Sequence, residues 1–287
     1  MNPTLHRPPQ DDQKALLRQI FKASLIAVPV AIAMFFGVIH VINSQRKAAA
    51  SQAGWQEVKS SGRELHDDQK KNFDPKIGIT NVDLARLEKM QVGLKNVSEN
   101  ASGDEAIVAQ AISQYINRLQ TAVKSYQDAA GKLRAAHVLD QFDSSDIAQI
   151  PARREIVQRF LDANGAVKQV LTNCEDRFRA DLTAAKVRDL KIQNLLDALH
   201  SALARKNAIL LKIRQYDDQM GVAMLDALNT LESERGHWKY DPNTNKIRFE
   251  TAATTEAYEN AIAAIEAASA EQVKLQAQLV NLPIPQP

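Results

Sequence analysis

The most apolar part of the chain is a single stretch near its start. Residues 23–45 contain no Asp, Glu, Lys or Arg, and their number matches the ~20 residues that a helix needs to cross a ~30 Å hydrocarbon layer. A secretory signal has a shorter apolar region of roughly 7–15 residues, and Arg46 and Lys47 separate this one from small residues that could form a cleavage site. The pattern predicts an uncleaved transmembrane anchor; the alternatives are a cleaved signal peptide and a buried soluble helix.

The charges beside this segment bear on its orientation. Four basic residues precede the span and four follow it over a comparable distance, so the positive-inside count alone is a tie. Three of the preceding four lie within nine residues of the span, and large C-terminal domains cross membranes largely regardless of charge. We therefore expect a short cytoplasmic tail over 1–22, a single span of the inner (cytoplasmic) membrane over 23–45, and an extracytoplasmic or periplasmic remainder.

The chain changes character after the span. Ala48 to Asp74 has many charges and few large aliphatic residues, which predicts a stalk or linker over 46–79, helical where it leaves the membrane. From there, apolar residues recur by threes and fours, the spacing of helices that bury one face. We expect a helical bundle domain over 80–282 and an extended Pro-rich tail over 283–287.

Several local signals divide the bundle. Ser102-Gly-Asp-Glu105 has the form of a capping box at a helix start, and Pro151 suits the first turn of another helix. No Gly or Pro interrupts 166–220, but one helix of that length is unusual in a compact domain, so we expect a break near Ala185 to Asp189.

A small β-hairpin is predicted over 237–250. Polar and apolar residues alternate there on both sides of a turn-rich Asp-Pro-Asn-Thr-Asn sequence. We expect Trp238 and Phe249 to face the bundle, and Lys239 and Arg248 to face solvent.

Composition narrows the range of partners. The chain holds 36 basic and 34 acidic residues; since residues 1–47 hold six of the former and two of the latter, the remainder carries 30 and 32. The slight basicity therefore belongs to the flanks of the span, and we expect no nucleic-acid partner. The single cysteine, Cys174, excludes an internal disulfide and falls among helically spaced apolar residues, as a core side chain would.

The sequence holds no local motif for phosphate or metal binding. Neighbouring glycines are at least eight residues apart, which excludes both G-x-G-x-x-G and the Walker-type loop. Glu234-x-x-His237 matches half of a di-iron motif. The sequence has no second E-x-x-H, and Asp197-x-x-His200 has aspartate in place of the glutamate. We therefore expect no catalytic, cofactor-binding or metal-binding residues, no cofactor, and a protein that is not an enzyme.

The end of the chain resembles a known family. From about Ala208 to Leu279 a helix, Trp238, an Ile247-x-Phe249 strand and a helix beginning at Tyr258 follow one another. This order resembles the end of an uncharacterised bacterial envelope lipoprotein family, a domain of unknown function. The resemblance implies a helical envelope domain without catalytic residues; the chain lacks a lipidation cysteine near its start, so the span would replace the lipid.

Together these patterns predict a mainly all-α protein: a single-pass transmembrane helix followed by an elongated antiparallel helical bundle or coiled coil with one small β-hairpin. The expected function is structural, with the lipid bilayer bound through 23–45 and another envelope protein, or a second copy, bound through the helices of 151–234. The competing explanation of the long apolar seam in 151–234 is that its helices fold onto each other within one chain. A small-molecule sensing domain is the alternative function, and an enzyme with a dispersed site is a third.

Overall fold

The computed structural model describes residues 49–79, 84–139, 146–241 and 246–282. They are mainly helical, as the sequence predicts. The helices are α1 Ala49–Lys71, α2 Ala85–Asn100, α3 Asp104–Ala135, α4 Ile150–Thr172, α5 Cys174–Ala184, α6 Asp189–Ser233 and α7 Ala252–Val280, with a 3₁₀ turn at Asp146–Gln149. The strands are β1 Phe73–Asp74, β2 Gly78–Ile79, β3 Trp238–Asp241 and β4 Lys246–Phe249, paired as two antiparallel hairpins.

The helices pack in chain order, apart from the short α5. Helix α1 packs on α2, α2 on α3, α3 on α4, α4 on α6 and α6 on α7, while α5 lies against α3 and α6. Helix α6 has 45 residues and therefore extends over about 68 Å at 1.5 Å per residue. Helix α3 runs in the same direction, since Asp104 meets Lys191 near the starts of the two helices and Tyr126 meets Arg214 further along.

The long helices connect two groups of shorter ones, which we call the first and the second tier. The first tier combines α1, α2 and α5 with the initial halves of α3 and α6, as the Arg118–Asp181 ion pair between α3 and α5 illustrates. The second tier combines α4, α7 and the β3–β4 hairpin with the final halves. There Tyr126 of α3 packs on Phe160 of α4, with ring centroids 5.5 Å apart.

The segment expected to be a stalk is part of the first tier. Its helix α1 packs along α2 and buries Trp55, Val58 and Leu65 completely or nearly so. The sequence pattern concealed this face because the other buried positions of α1 are glycine or polar: Ser51, Gly54, Ser61, Gly62, His66 and Gln69. The β1–β2 hairpin that follows was not predicted either. It is attached to α7, where the Ile79 N–H donates to Gln276 Oε1 at 2.8 Å.

Two helix boundaries lie where the sequence predicts them, but at one of them the structural cause differs from the predicted one. The expected break near Ala185 to Asp189 is present between α5 and α6, and Lys186 adopts a left-handed φ of 59° there. Helix α3 begins next to Gly103, whose φ of 61° favours glycine, and no side chain caps the helix. The expected capping box is therefore wrong, because Glu105 instead accepts hydrogen bonds from α1.

A further break, between α4 and α5, was not predicted. Asn173 stands between these helices with φ −91° and ψ 12°, so the chain turns there without glycine or proline. The range 151–234 thus holds three helices.

The β3–β4 hairpin confirms the predicted register. Trp238 pairs with Phe249 and Lys239 with Arg248. Trp238 is buried and donates through Nε1 to the Leu231 carbonyl at 2.9 Å, while Lys239 and Arg248 are exposed. The hairpin therefore packs its aromatic face on the end of the second tier.

The apolar seam of α4 and α6 is filled within the chain. Val157, Phe160 and Val167 of α4 are buried, as are Leu210 and Ile213 of α6, and the two helices pack on each other. This is the arrangement that the competing explanation of the seam describes. Binding of another envelope protein, or of a second copy, through 151–234 remains a prediction. Only the outward faces of these helices are available for it.

The predicted membrane span lies outside the described residues. Within 49–79, 84–139, 146–241 and 246–282, no helix combines the length and apolar character needed to cross a membrane. The tail over 1–22 and the Pro-rich end over 283–287 also lie outside the described residues.

Candidate functional site: a buried polar belt

A layer of polar side chains crosses the core where the two tiers meet. We call it the polar belt. Its members are His66, Gln69, Tyr126, Asn164, Lys206, Arg214, Asp217, Gln272 and Gln276, all nearly or fully buried. They come from five helices, so the belt joins α1, α3, α4, α6 and α7 over about three turns of α6, from Lys206 to Asp217.

An ion pair without solvent contact stands at the centre of the belt. Arg214 Nη1 lies 3.0 Å from Asp217 Oδ2, and neither side chain is exposed. The guanidinium carbon lies 4.4 Å from the ring centroid of Tyr126, a cation–π geometry. Gln272 Nε2 donates to Asp217 Oδ1 at 2.7 Å, which links the pair to α7.

The position of this pair follows from the phase of α6. Asp217 lies four residues after Ile213 and three before Met220, and both of these are buried apolar residues. It therefore occupies a place in the helical stripe that a hydrophobic residue would normally fill. Tyr216, three residues after Ile213, also fits a helical apolar spacing, but it is only half-buried. A charged residue in phase with an apolar stripe was the signal that could have found the belt.

The α4 side of the belt is held by Asn164. Its Nδ2 donates to the backbone carbonyl of Arg214 at 2.7 Å and to Asp218 Oδ1 at 2.6 Å. Lys168, one turn further along α4, forms an ion pair with the other oxygen of Asp218. These bonds join α4 to α6 and oppose sliding of one helix along the other.

Burial dominates the protonation equilibrium of Asp217. It raises the pKa of this carboxyl from 3.8 to about 6, although the Arg214 charge and the Gln272 amide act in the opposite direction. A carboxyl with this pKa takes up a proton within the range between neutral and mildly acidic pH. The charge at the centre of the belt is therefore sensitive to pH.

The α1 side of the belt holds two basic side chains, Lys206 and His66. Burial lowers the pKa of Lys206, and burial together with the charge of Lys206 lowers the pKa of His66. In the described part of the chain, no carboxylate lies within ion-pair distance of the Lys206 amine. Positive charge on this side is consequently less stable than in water.

The belt contains hydrogen-bonding atoms that the protein does not satisfy. Among the described residues, the Nε and Nη2 atoms of Arg214, Oε1 of Gln272 and Oδ1 of Asn164 have no hydrogen-bond partner. An unsatisfied buried donor or acceptor typically costs ~1–3 kcal/mol. The belt therefore stabilises the junction between the tiers less than an apolar layer would. Its unsatisfied donors and acceptors could bind a polar ligand.

Two open depressions lie on the surface of the first tier. The larger, about 460 Å³, runs between α2 and α3 and is lined by Glu88, Gln91, Val92, Lys95, Ser98, Gln110, Ser113 and Gln114. We call it the α2–α3 groove. The other lies between α5 and α6 and includes Leu190.

The residues that the sequence singled out do not form a site together. His237 Nδ1 lies 2.8 Å from Glu250 Oε2 on the hairpin, and His200 Nδ1 lies 3.0 Å from Glu175, all of them exposed. Cys174 is buried, and burial raises the pKa of its thiol to about 12. The described residues contain no group of three or more His, Cys, Asp or Glu side chains arranged to hold a metal ion.

Comparison of the chain with protein-family models, curated proteins and solved structures finds no match. The resemblance to the envelope lipoprotein family therefore stays an expectation from the sequence.

Proposed function

We propose that this chain is a membrane-anchored helical interaction protein of the cell envelope. In this proposal residues 23–45 hold it in the inner membrane with the N-terminus in the cytoplasm, and the two tiers project outward as a spacer that carries a partner-binding surface. The function is structural rather than enzymatic.

The observation that supports this proposal most is the short stretch of sequence between the proposed anchor and the bundle. The uncharged segment ends at Gln45, and α1 begins only four positions later, already packed on α2. The first tier would therefore stand directly on the membrane. The hairpin, beyond the far end of the 45-residue α6, would be presented away from it.

The α2–α3 groove is the surface that we propose for the partner. It is open along its length, whereas small-molecule sites bury most of their ligand. Val92 is 58% exposed and is surrounded by glutamine, serine and charged side chains. An apolar centre with a hydrogen-bonding rim is typical of a protein interface.

The anchor and the groove are tested separately. Resistance of the full-length chain to carbonate extraction, with the bundle accessible to protease only from outside the cytoplasm, is expected for the anchor. A photo-crosslinking residue at Val92 should then give a discrete product in native membranes. The same residue at Val222, exposed on α6 in the second tier, is the matched control. Crosslinking at both positions or at neither would contradict the groove.

The polar belt supports one alternative function, the sensing or binding of a small polar molecule outside the cytoplasm. The observation in its favour is the set of unsatisfied Arg214 donors beside Gln272 and Asn164 acceptors. A small carboxylate or phosphate would satisfy the donors. Thermal unfolding with and without inorganic phosphate or acetate tests this: a concentration-dependent rise of the melting temperature that Arg214→Met abolishes would favour binding over scaffolding.

A further inference from the structure

The starts of three helices are gathered at one end of the first tier, which we call the proximal end. Helices α1, α3 and α6 all begin there. Glu105 Oε1 in the first turn of α3 accepts hydrogen bonds from Ser51 Oγ and from Trp55 Nε1, each at 2.7 Å. Lys191 Nζ in α6 donates to Asp104 Oδ2 at 2.7 Å. The turn between α5 and α6 therefore lies at the same end of the molecule as the start of α1.

This turn exposes an apolar side chain next to two cations. Leu190 is 77% exposed, more than any other large hydrophobic residue of the described part of the chain. Lys186 and Arg188 precede it and are exposed as well, and neither forms an ion pair with a described residue. Asp189, also exposed, is the one acidic residue among 185–190.

The length of chain before α1 limits how far the proximal end can lie from a membrane. Gln45 closes the uncharged segment, and Ala49 is the first described residue of α1. Four residues reach at most ~14 Å when fully extended. The headgroup layer on each side of a ~30 Å hydrocarbon core is itself several ångströms thick. A bundle anchored through 23–45 must therefore hold its proximal end at the membrane surface.

We propose that the turn between α5 and α6 binds the surface of the membrane that anchors the chain. Leu190 inserts among the headgroups, and Lys186 and Arg188 bind the phosphates of anionic phospholipids. This inference rests on the proposed anchor and adds a second lipid contact, remote in sequence from the first. With two contacts on different helices, the first tier is held at a fixed tilt and cannot swivel freely about the short link.

Depth-dependent quenching in vesicles tests the contact at Leu190. The full-length Leu190→Cys variant carries an NBD fluorophore and is reconstituted into phosphatidylcholine vesicles containing phosphatidylglycerol and a spin-labelled lipid. Val222→Cys is the control, since it lies on the same helix, is exposed, and belongs to the second tier. Cys174 is buried, and labelling of the chain without an added cysteine, which should be negligible, is the measure of its reactivity. Quenching should be several-fold stronger at position 190 than at position 222, and equal quenching at the two positions would overturn the inference.

Charge reversal tests the lipid headgroups as the binding partner. Lys186→Glu combined with Arg188→Glu should reduce the quenching at position 190. Arg205→Glu combined with Lys212→Glu makes the same change of charge on exposed positions further along α6 and should have no effect. An equal effect of the two double variants would contradict headgroup binding.

Carbonate extraction of the same reconstituted chain tests the anchor independently of the quenching. If carbonate releases the full-length chain from the vesicles, the anchor fails and this inference fails with it. A chain that resists carbonate but leaves position 190 unquenched overturns the surface contact alone.

Discussion

Gly54 of α1 and Gly93 of α2 face each other at the crossing of their helices. A Cβ atom at Gly54 would lie 2.7 Å from the Gly93 carbonyl oxygen, and one at Gly93 would lie 2.8 Å from that of Gly54. These distances are shorter than any real Cβ contact, so only glycine allows the two backbones to approach this closely. The pair explains how α1, with few aliphatic side chains, still packs tightly.

We expect Gly54→Ala to destabilise the bundle by about 1–3 kcal/mol, because the methyl group meets backbone atoms that cannot move independently. Equilibrium urea unfolding of the purified full-length chain, followed by circular dichroism, measures the loss. Gly165→Ala in α4 is the matched control: its Cβ would meet nothing within 4 Å, and alanine favours a helix over glycine by ~1 kcal/mol. Equal effects of the two substitutions would show that α1 does not pack on α2 as described.

The same crossing shows why the sequence could not predict α1 as part of the bundle. A hydrophobic stripe is the signal of a buried helix face, and α1 buries glycine and small or polar residues between Trp55, Val58 and Leu65. Its contact depends on close backbone approach, which leaves no periodic pattern of large apolar residues. The hairpin over 237–250, in contrast, was predicted in register because alternation within a short segment is a local property.

Trp238→Ala should cost about 3–5 kcal/mol of stability, since it removes a large buried aromatic group. The substitution also deprives the Leu231 carbonyl of a hydrogen bond at the end of α6. Thermal unfolding should show a clearly lower melting temperature, whereas Lys239→Ala, on the exposed face of the same strand, should leave it unchanged. Small and equal shifts would mean that β3 does not pack on the bundle.

The polar belt could be predicted from the sequence only in part, for a different reason. Charged residues recur between the apolar positions of α6, and several of them are exposed, as Arg205 and Lys212 are. Lys206 and Asp217 lie at the buried phase of the same helix. The phase of the apolar stripe marks these two positions as buried, but it does not identify the partners of Asp217 on α3 and α7, which are remote in sequence.

The pKa of Asp217 gives the stability of the chain a specific dependence on pH. Its folded-state pKa of about 6 exceeds the reference value of 3.8, so the folded chain binds more protons between these values. The contribution of Asp217 to the unfolding free energy therefore rises as pH falls, by ~1 kcal/mol between pH 7.5 and pH 5. Urea unfolding at the two pH values of the wild type and of Asp217→Asn, which cannot titrate, measures it.

The difference between the two proteins isolates this contribution. The pKa of His66 is lowered, so its contribution has the opposite sign and is lost as pH falls through the folded-state value. Because both proteins retain His66, its effect cancels in the comparison. A wild type that gains no more stability than Asp217→Asn on acidification would contradict a raised pKa at Asp217.

Arg214→Met should destabilise the chain by about 3–5 kcal/mol at pH 7.5, because it leaves the Asp217 carboxylate buried without its cation. The loss should be smaller at pH 5, where Asp217 is largely protonated and needs no counter-charge. Adding Asp217→Leu should recover most of the loss at pH 7.5, since a hydrophobic pair of similar volume replaces a buried ion pair at little cost. Full recovery is not expected, as Gln272 Nε2 then lacks its acceptor. A double variant less stable than Arg214→Met would show that the ion pair does more than neutralise a charge, and that the belt specifies how the two tiers join.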